Sequence, residues 1–164
     1  MRWLSIILLL LTAVPTGAAR KKIWADSFIG RKAPEILVEE WISAAPNTNG
    51  KWVLLDFWAT WCGPCIESIP ELNKFQRKFG KRLVVIGLTE QKRRTVERMK
   101  KPVIGYYNAI DTRGRTKKAL GVTGLPHVIL IDPRGIVRWE GYPLLPGFKL
   151  TEDVIERIMN GGSA

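Results

Sequence analysis

"DFWATWCGPCIESIP", residues 56–70, decides how the rest of the chain is read, because it holds Cys62 and Cys65, the only two cysteines among 164 residues. Just before them, "WVLLDFW" (52–58) is a near-continuous apolar run of strand length, as expected of a strand buried on both faces. Just after them, "GPCIESIPELNKFQRKFG" (63–80) predicts a helix ending at Gly80, with Ile66, Ile69, Leu72 and Phe79 on one face. The thiols therefore stand where a buried strand turns into a helix.

That position weighs three chemistries against one another. A disulfide closing so small a loop removes little unfolded-state entropy and is a weak staple, even in an exported chain where structural bridges are common. A structural zinc needs four ligands, and the chain offers two thiols and one histidine, His127. At a helix N-terminus, unpaired amides and the helix dipole stabilise a thiolate, whose pKa can fall to about 3.5–7.5. Thiol–disulfide redox chemistry is the reading favoured, without metal or cofactor.

The N-terminal "MRWLSIILLLLTAVPTGAA" (1–19) carries a basic start at Arg2, an apolar run from Trp3 to Val14 and small residues at Gly17, Ala18 and Ala19. It reads as a secretory signal peptide, its run being shorter than the roughly 20 residues a spanning helix needs, with no following cysteine to accept a lipid. An uncleaved anchor is the alternative, against which Pro15 and Gly17 break the helix where cleavage would fall. The expected organisation is a signal peptide (1–19), a basic arm (20–26) and one domain (27–164). The protein is expected in the periplasm or another extracytoplasmic space, with no membrane anchor after cleavage.

Losing Arg2 lowers the formal charge only from +11 to +10. Between Gln91 and Lys118, ten Lys or Arg face only Glu97 and Asp111. Such an excess suits an anionic partner or a solvated helix face with a loop. No aromatic-interleaved basic motif accompanies it, so nucleic acid is not expected. A non-catalytic binding module using this basic face is the alternative function.

Elsewhere, residues 29–51 read as a short extended segment followed by a turn-rich connection at Pro46–Gly50. Then come a strand at 82–89, a charged helix at about 90–100, a strand at 103–110, a short helix at about 116–120, strands at 127–132 and 136–142 around a "PRG" turn, and a helix at about 151–159. Strands alternating with helices and closing in a hairpin predict an α/β fold with a mixed central sheet flanked by helices.

"DFWATWCGPC" resembles the active-site segment of the thioredoxin superfamily, and the export signal, "APE" (33–35) and the extra strand–helix unit at about 90–110 resemble its exported TlpA/ResA-like branch. The similarity covers most of the chain after the signal. It implies a thioredoxin fold with that unit as an insertion, a kink at Pro70, and in "GVTGLPH" (121–127) a cis-proline, Pro126, facing the cysteines. It also implies a monomeric thiol-disulfide oxidoreductase acting on protein thiols and disulfides and served by an upstream redox partner protein. Gly-Pro between the cysteines resembles low-potential members, hence a reductant. A peroxidase is disfavoured, since Thr60 sits two residues before Cys62 and not the three of the Pro-x-x-x-Thr-x-x-Cys pattern.

Expected roles follow. Cys62, nearer the helix end and more exposed, attacks a substrate disulfide, and Cys65, one turn deeper, resolves the mixed disulfide. Gly63 and Pro64 let the turn enter the helix, where proline's missing N–H costs nothing. Trp61 shields one side of the sulfurs. Asp56, in line with Leu54 and Trp58, is costly to bury charged, so its pKa should rise and it can accept the Cys65 proton as a general base, as the buried aspartate of thioredoxin implies. The alternative is an acid at a frayed strand end in water. Leu125 would offer backbone groups to a substrate strand, and Pro126 would block approach of a metal ligand. Several relatives carry a glutamate three residues after the second cysteine. This chain has Ser68 there and Glu67 one place earlier, which leaves Glu67 a doubtful proton relay. His127 is either the first residue of a strand or a group tuning the thiolate.

Overall fold

The run at 52–57 forms the central strand because it can bury both faces and pair on both edges. A computed structural model describes residues 23–163; the expected signal peptide and the first residues of the basic arm lie outside the described residues. The elements are β1 (Glu40–Trp41), β2 (Trp52–Phe57), α1 (Gly63–Phe79), β3 (Leu83–Thr89), α2 (Arg93–Arg98), β4 (Tyr107–Ile110), α3 (Arg115–Ala119), β5 (His127–Ile131), β6 (Val137–Gly141) and α4 (Glu152–Met159). They build a six-stranded mixed sheet in the order β1-β4-β3-β2-β5-β6. Strand β2 runs parallel to β3 and antiparallel to β5, β4 parallel to β3, and the edges β1 and β6 antiparallel to their neighbours. The α/β architecture with a mixed sheet is as expected.

Alternation along β2 separates two cores. Leu54, with Val85 and Leu130, packs against Ile69, Leu72 and Phe75 of α1 and Ile155 and Ile158 of α4. Leu55 and Phe57 face the other way, onto Ile86, Ile129, Leu120 and Val122 and the N-terminal segment bearing Phe28, Ala33 and Ile36. Each such side chain contributes on the order of 1.5–3 kcal/mol by leaving water. Helix α4 starts as a capped helix does: Thr151 accepts the Val154 N–H at 3.3 Å, and Glu152 and Asp153 sit in the first turn.

The N-terminal segment is fastened to β6. Glu140 accepts from the Ser27 hydroxyl and from the Phe28 N–H at 2.8 Å. Bridges join Ile29 to Val137 and Lys32 to Ile136.

Two expected elements are shorter than the sequence suggested. The charged helix spans 93–98 and the strand after it begins only at Tyr107. Pro102, which lacks a backbone N–H, interrupts the segment, and Asn73 of α1 takes the next polar groups: its amide donates to Val103 O at 2.8 Å and accepts from Gly105 N at 2.6 Å. Backbone groups engaged by a side chain are not offered to the sheet.

Candidate active site

Helix α1 begins at the cysteines. Cys62 is its N-cap, in extended conformation with φ −87° and ψ 98°, and its sulfur accepts the Cys65 N–H at 3.3 Å. Proline occupies the first turn, as Gly63-Pro64 predicts. The two sulfurs are joined in a disulfide. Cys65 is fully buried, whereas Cys62 keeps 5 % of its surface and is the less enclosed of the pair.

The sulfurs pack with Trp58, Ala59 and Val96, bordered by Ile42, Ile66, Met99, Ile104 and Leu125. Val96, Met99 and Ile104 all come from the extra strand–helix unit, so the insertion supplies one wall of the site. Trp61 is 73 % exposed, and the buried cover on the disulfide comes from Trp58. The turn into α1 is clamped by Gln91, which accepts the Thr60 N–H at 2.7 Å and donates to the Thr60 hydroxyl at 3.0 Å. Nothing in the sequence singles out Gln91, because the contact spans 31 residues.

Asp56 has no exposed surface, which overturns the alternative of an acid in water at a frayed strand end. It lies on the Leu54 side of β2, the side that α1 covers, between Gly87 of β3 and Val128 of β5 in register. Burial pushes its pKa up to about 7, opposed by the Tyr106 hydroxyl, which donates to Oδ2 at 3.4 Å. Oδ1 has no hydrogen-bond partner. Tyr106, missed in the sequence, becomes visible only once the insertion is folded.

Gly87 makes room for this arrangement. A Cβ there would stand 3.0 Å from both Trp58 Nε1 and Tyr106 Cε2, and Trp58 is held by its indole N–H donating to Asn108 Oδ1 at 3.2 Å. Gly87→Ala is expected to cost about 1–3 kcal/mol, read as a lower urea midpoint. An unchanged midpoint would show that the two rings move aside freely.

Helix α1 buries Ser68 and exposes Glu67. The Ser68 hydroxyl donates to Cys65 O at 2.8 Å, and no carboxylate reaches the sulfurs from this helix turn. Pro70 lies inside α1. The Leu125–Pro126 bond is cis, with Pro126 buried and Leu125 half-buried against the cysteine cluster. His127 is the first residue of β5, opposite Phe57 with ring centroids 6.4 Å apart, and so takes the face of β2 turned away from Asp56. In the basic stretch, Arg93 pairs with Glu40 and Glu97, Arg115 with Asp111, and Lys117 with Glu90, so acids from outside the stretch offset part of its charge. Among the described residues, no group of His, Cys, Asp and Glu is arranged to hold a metal ion, and no helix is long and apolar enough to cross a membrane.

Comparison with known proteins agrees with this geometry. The AhpC/TSA family matches residues 29–140. The thiol-disulfide oxidoreductase ResA of Geobacillus thermodenitrificans is 27 % identical over 94 % of this chain and 91 % of its own. A structure assigned as the thiol:disulfide interchange protein DsbE of Chlorobium tepidum superposes with a TM-score of 0.68 at 29 % identity, covering 80 % of this chain and 96 % of that one. The reduced 2-Cys peroxiredoxin of Plasmodium vivax gives 0.65 at 22 % identity over 82 % and 95 %, a likeness of fold.

Proposed function

Because the chain belongs to the AhpC/TSA family of thioredoxin-like proteins and its curated relatives include enzymes named as thiol-disulfide oxidoreductases, we propose that it is an exported thiol-disulfide oxidoreductase that reduces disulfides of other proteins. The observation that carries the reading is the Cys62–Cys65 pair at the start of α1, with Cys62 the less buried of the two and a carboxyl of raised pKa buried on the side of β2 that the same helix covers. Export rests on the signal-like segment 1–19.

In the reduced protein, Cys62 acts as the thiolate, favoured by the helix start. It attacks a substrate disulfide, forming a Cys62–substrate bond and releasing one substrate sulfur as a thiolate that takes a proton from solvent. Cys65 then gives its proton to Asp56 and attacks the Cys62 sulfur. The second substrate sulfur leaves, the substrate has gained two electrons, and the Cys62–Cys65 disulfide stands. An upstream dithiol donor returns those electrons. Half-buried Leu125 packs against the cysteine cluster, and with the cis Pro126 after it would supply the backbone on which a substrate strand lies.

The test is insulin reduction with a dithiol donor, together with a redox titration of the cysteine pair. A midpoint below about −220 mV is expected of a reductant, and one near about −120 mV would make it an oxidant. Absence of any exchange would remove the reading.

A further inference from the structure

A base that works once per turnover must exchange its proton with solvent, and Asp56 has no solvent-exposed surface through which to do so. Its neighbours in the sheet, Gly87 and Val128, bring no polar side chain. Of its two oxygens, Oδ1 is without a partner and Oδ2 is met by the Tyr106 hydroxyl. Tyr106, the residue before β4, in turn lines an open cavity of about 420 Å³ between α2, the loop after it and β4, with Ser43, Met99, Ile104 and Asn108 in the same wall. Tyr106 thus meets the enclosed carboxyl through its hydroxyl and also borders a space reached from outside.

We propose that Tyr106 is the positioning residue for the resolving step, its hydroxyl orienting Asp56 and relaying the proton taken from Cys65 out to water in this cavity. The proposal rests on the role given to Asp56 above. Protons balance at each hop: Cys65 S–H passes its proton to the Asp56 carboxylate, the Asp56 O–H passes it to Tyr106 Oη, and Tyr106 releases its own proton to water before its hydroxyl turns back. Burial and the neighbouring Asp56 push the Tyr106 pKa well above 10, so the phenol hands a proton on rather than resting as phenolate. The 3.4 Å separation is long, as donor–acceptor distances in resting sites often are before the reacting complex tightens them. Gly87 serves the relay too, since a side chain there would press on the Tyr106 ring. Of the ionisable groups, Tyr106 from the insertion meets Asp56 directly and Glu97 and Lys100 line the cavity beside it, while the cysteine pair stands at the start of α1, the helix that covers this side of β2.

A chromogenic aryl disulfide separates the steps, because attack by Cys62 releases one coloured thiolate and resolution by Cys65 the second. In Tyr106→Phe, the second release is expected to slow about 10- to 100-fold, with its pH midpoint moved up, because a carboxylate stripped of its donor ionises at higher pH. The first release and the alkylation rate of Cys62 stay unchanged. An unchanged second release, or equal slowing of both, overturns the relay. A wild-type protein releasing neither thiolate would instead overturn the oxidoreductase reading itself. If Tyr106→Phe does not fold, 3-fluorotyrosine at position 106 keeps the ring and strengthens the donor. It must move the midpoint down, and a fixed midpoint rejects the proposal.

Discussion

Cys62→Ser is expected to lose disulfide reduction by at least about 10³-fold, whereas Cys65→Ser keeps the attack and stalls after it, accumulating one covalent substrate adduct per chain. The asymmetry follows from burial: Cys62 caps α1 with some surface open, and Cys65 has none. A serine at 62 has no accessible thiolate behind it, while a serine at 65 leaves the mixed disulfide with nothing to displace it. Insulin turnover and intact mass under non-reducing conditions measure the pair. Adducts on Cys65 in the Cys62→Ser protein would reverse the assigned order.

Asp56→Asn carries the second large effect, and it acts on stability and rate in opposite directions. The folded carboxyl titrates at about 7 against an ordinary value of 3.8, so between those pH values the unfolded chain is ionised and the folded one holds its proton. The folded state binds more protons there, and wild-type stability falls as pH rises through that window, levelling above about 7. An amide does not titrate. The stability advantage of Asp56→Asn over wild type is therefore expected to grow by about 2–3 kcal/mol between pH 5 and pH 8, measured by urea unfolding of the oxidised proteins. The same substitution removes the acceptor for the Cys65 proton and slows resolution by about 10²-fold or more. Parallel pH curves for the two proteins would show that Asp56 keeps an ordinary pKa. The cost of burying such a residue at neutral pH is what the proposed role in proton transfer would account for.

Much of this was legible in the chain before folding. The order of strands and helices followed from apolar runs and from Gly and Pro, and the cysteine spacing with Pro126 marked the site. Asp56 stood out because a carboxyl inside an apolar strand demands an explanation. What stayed hidden were contacts made between distant segments. Tyr106 and Asn108 reach Asp56 and Trp58 from 50 residues away, and Gln91 reaches Thr60 across 31. The late start of β4 was illegible for the same reason, since Asn73 on α1 claims the backbone at 103–105. The side taken by His127 needed strand register, which spacing alone does not supply.

The fastening of residues 27–32 to β6 also bears on how molecules of this protein meet one another. Gly30 N donates to Val137 O at 2.9 Å and Val137 N to Arg31 O at 3.0 Å, so the start of that margin is already spoken for within the chain. At the opposite margin, β1 is only two residues long. A foreign strand seeking to extend the sheet finds few consecutive unpaired amides at either end, which guards against fibre-like self-association.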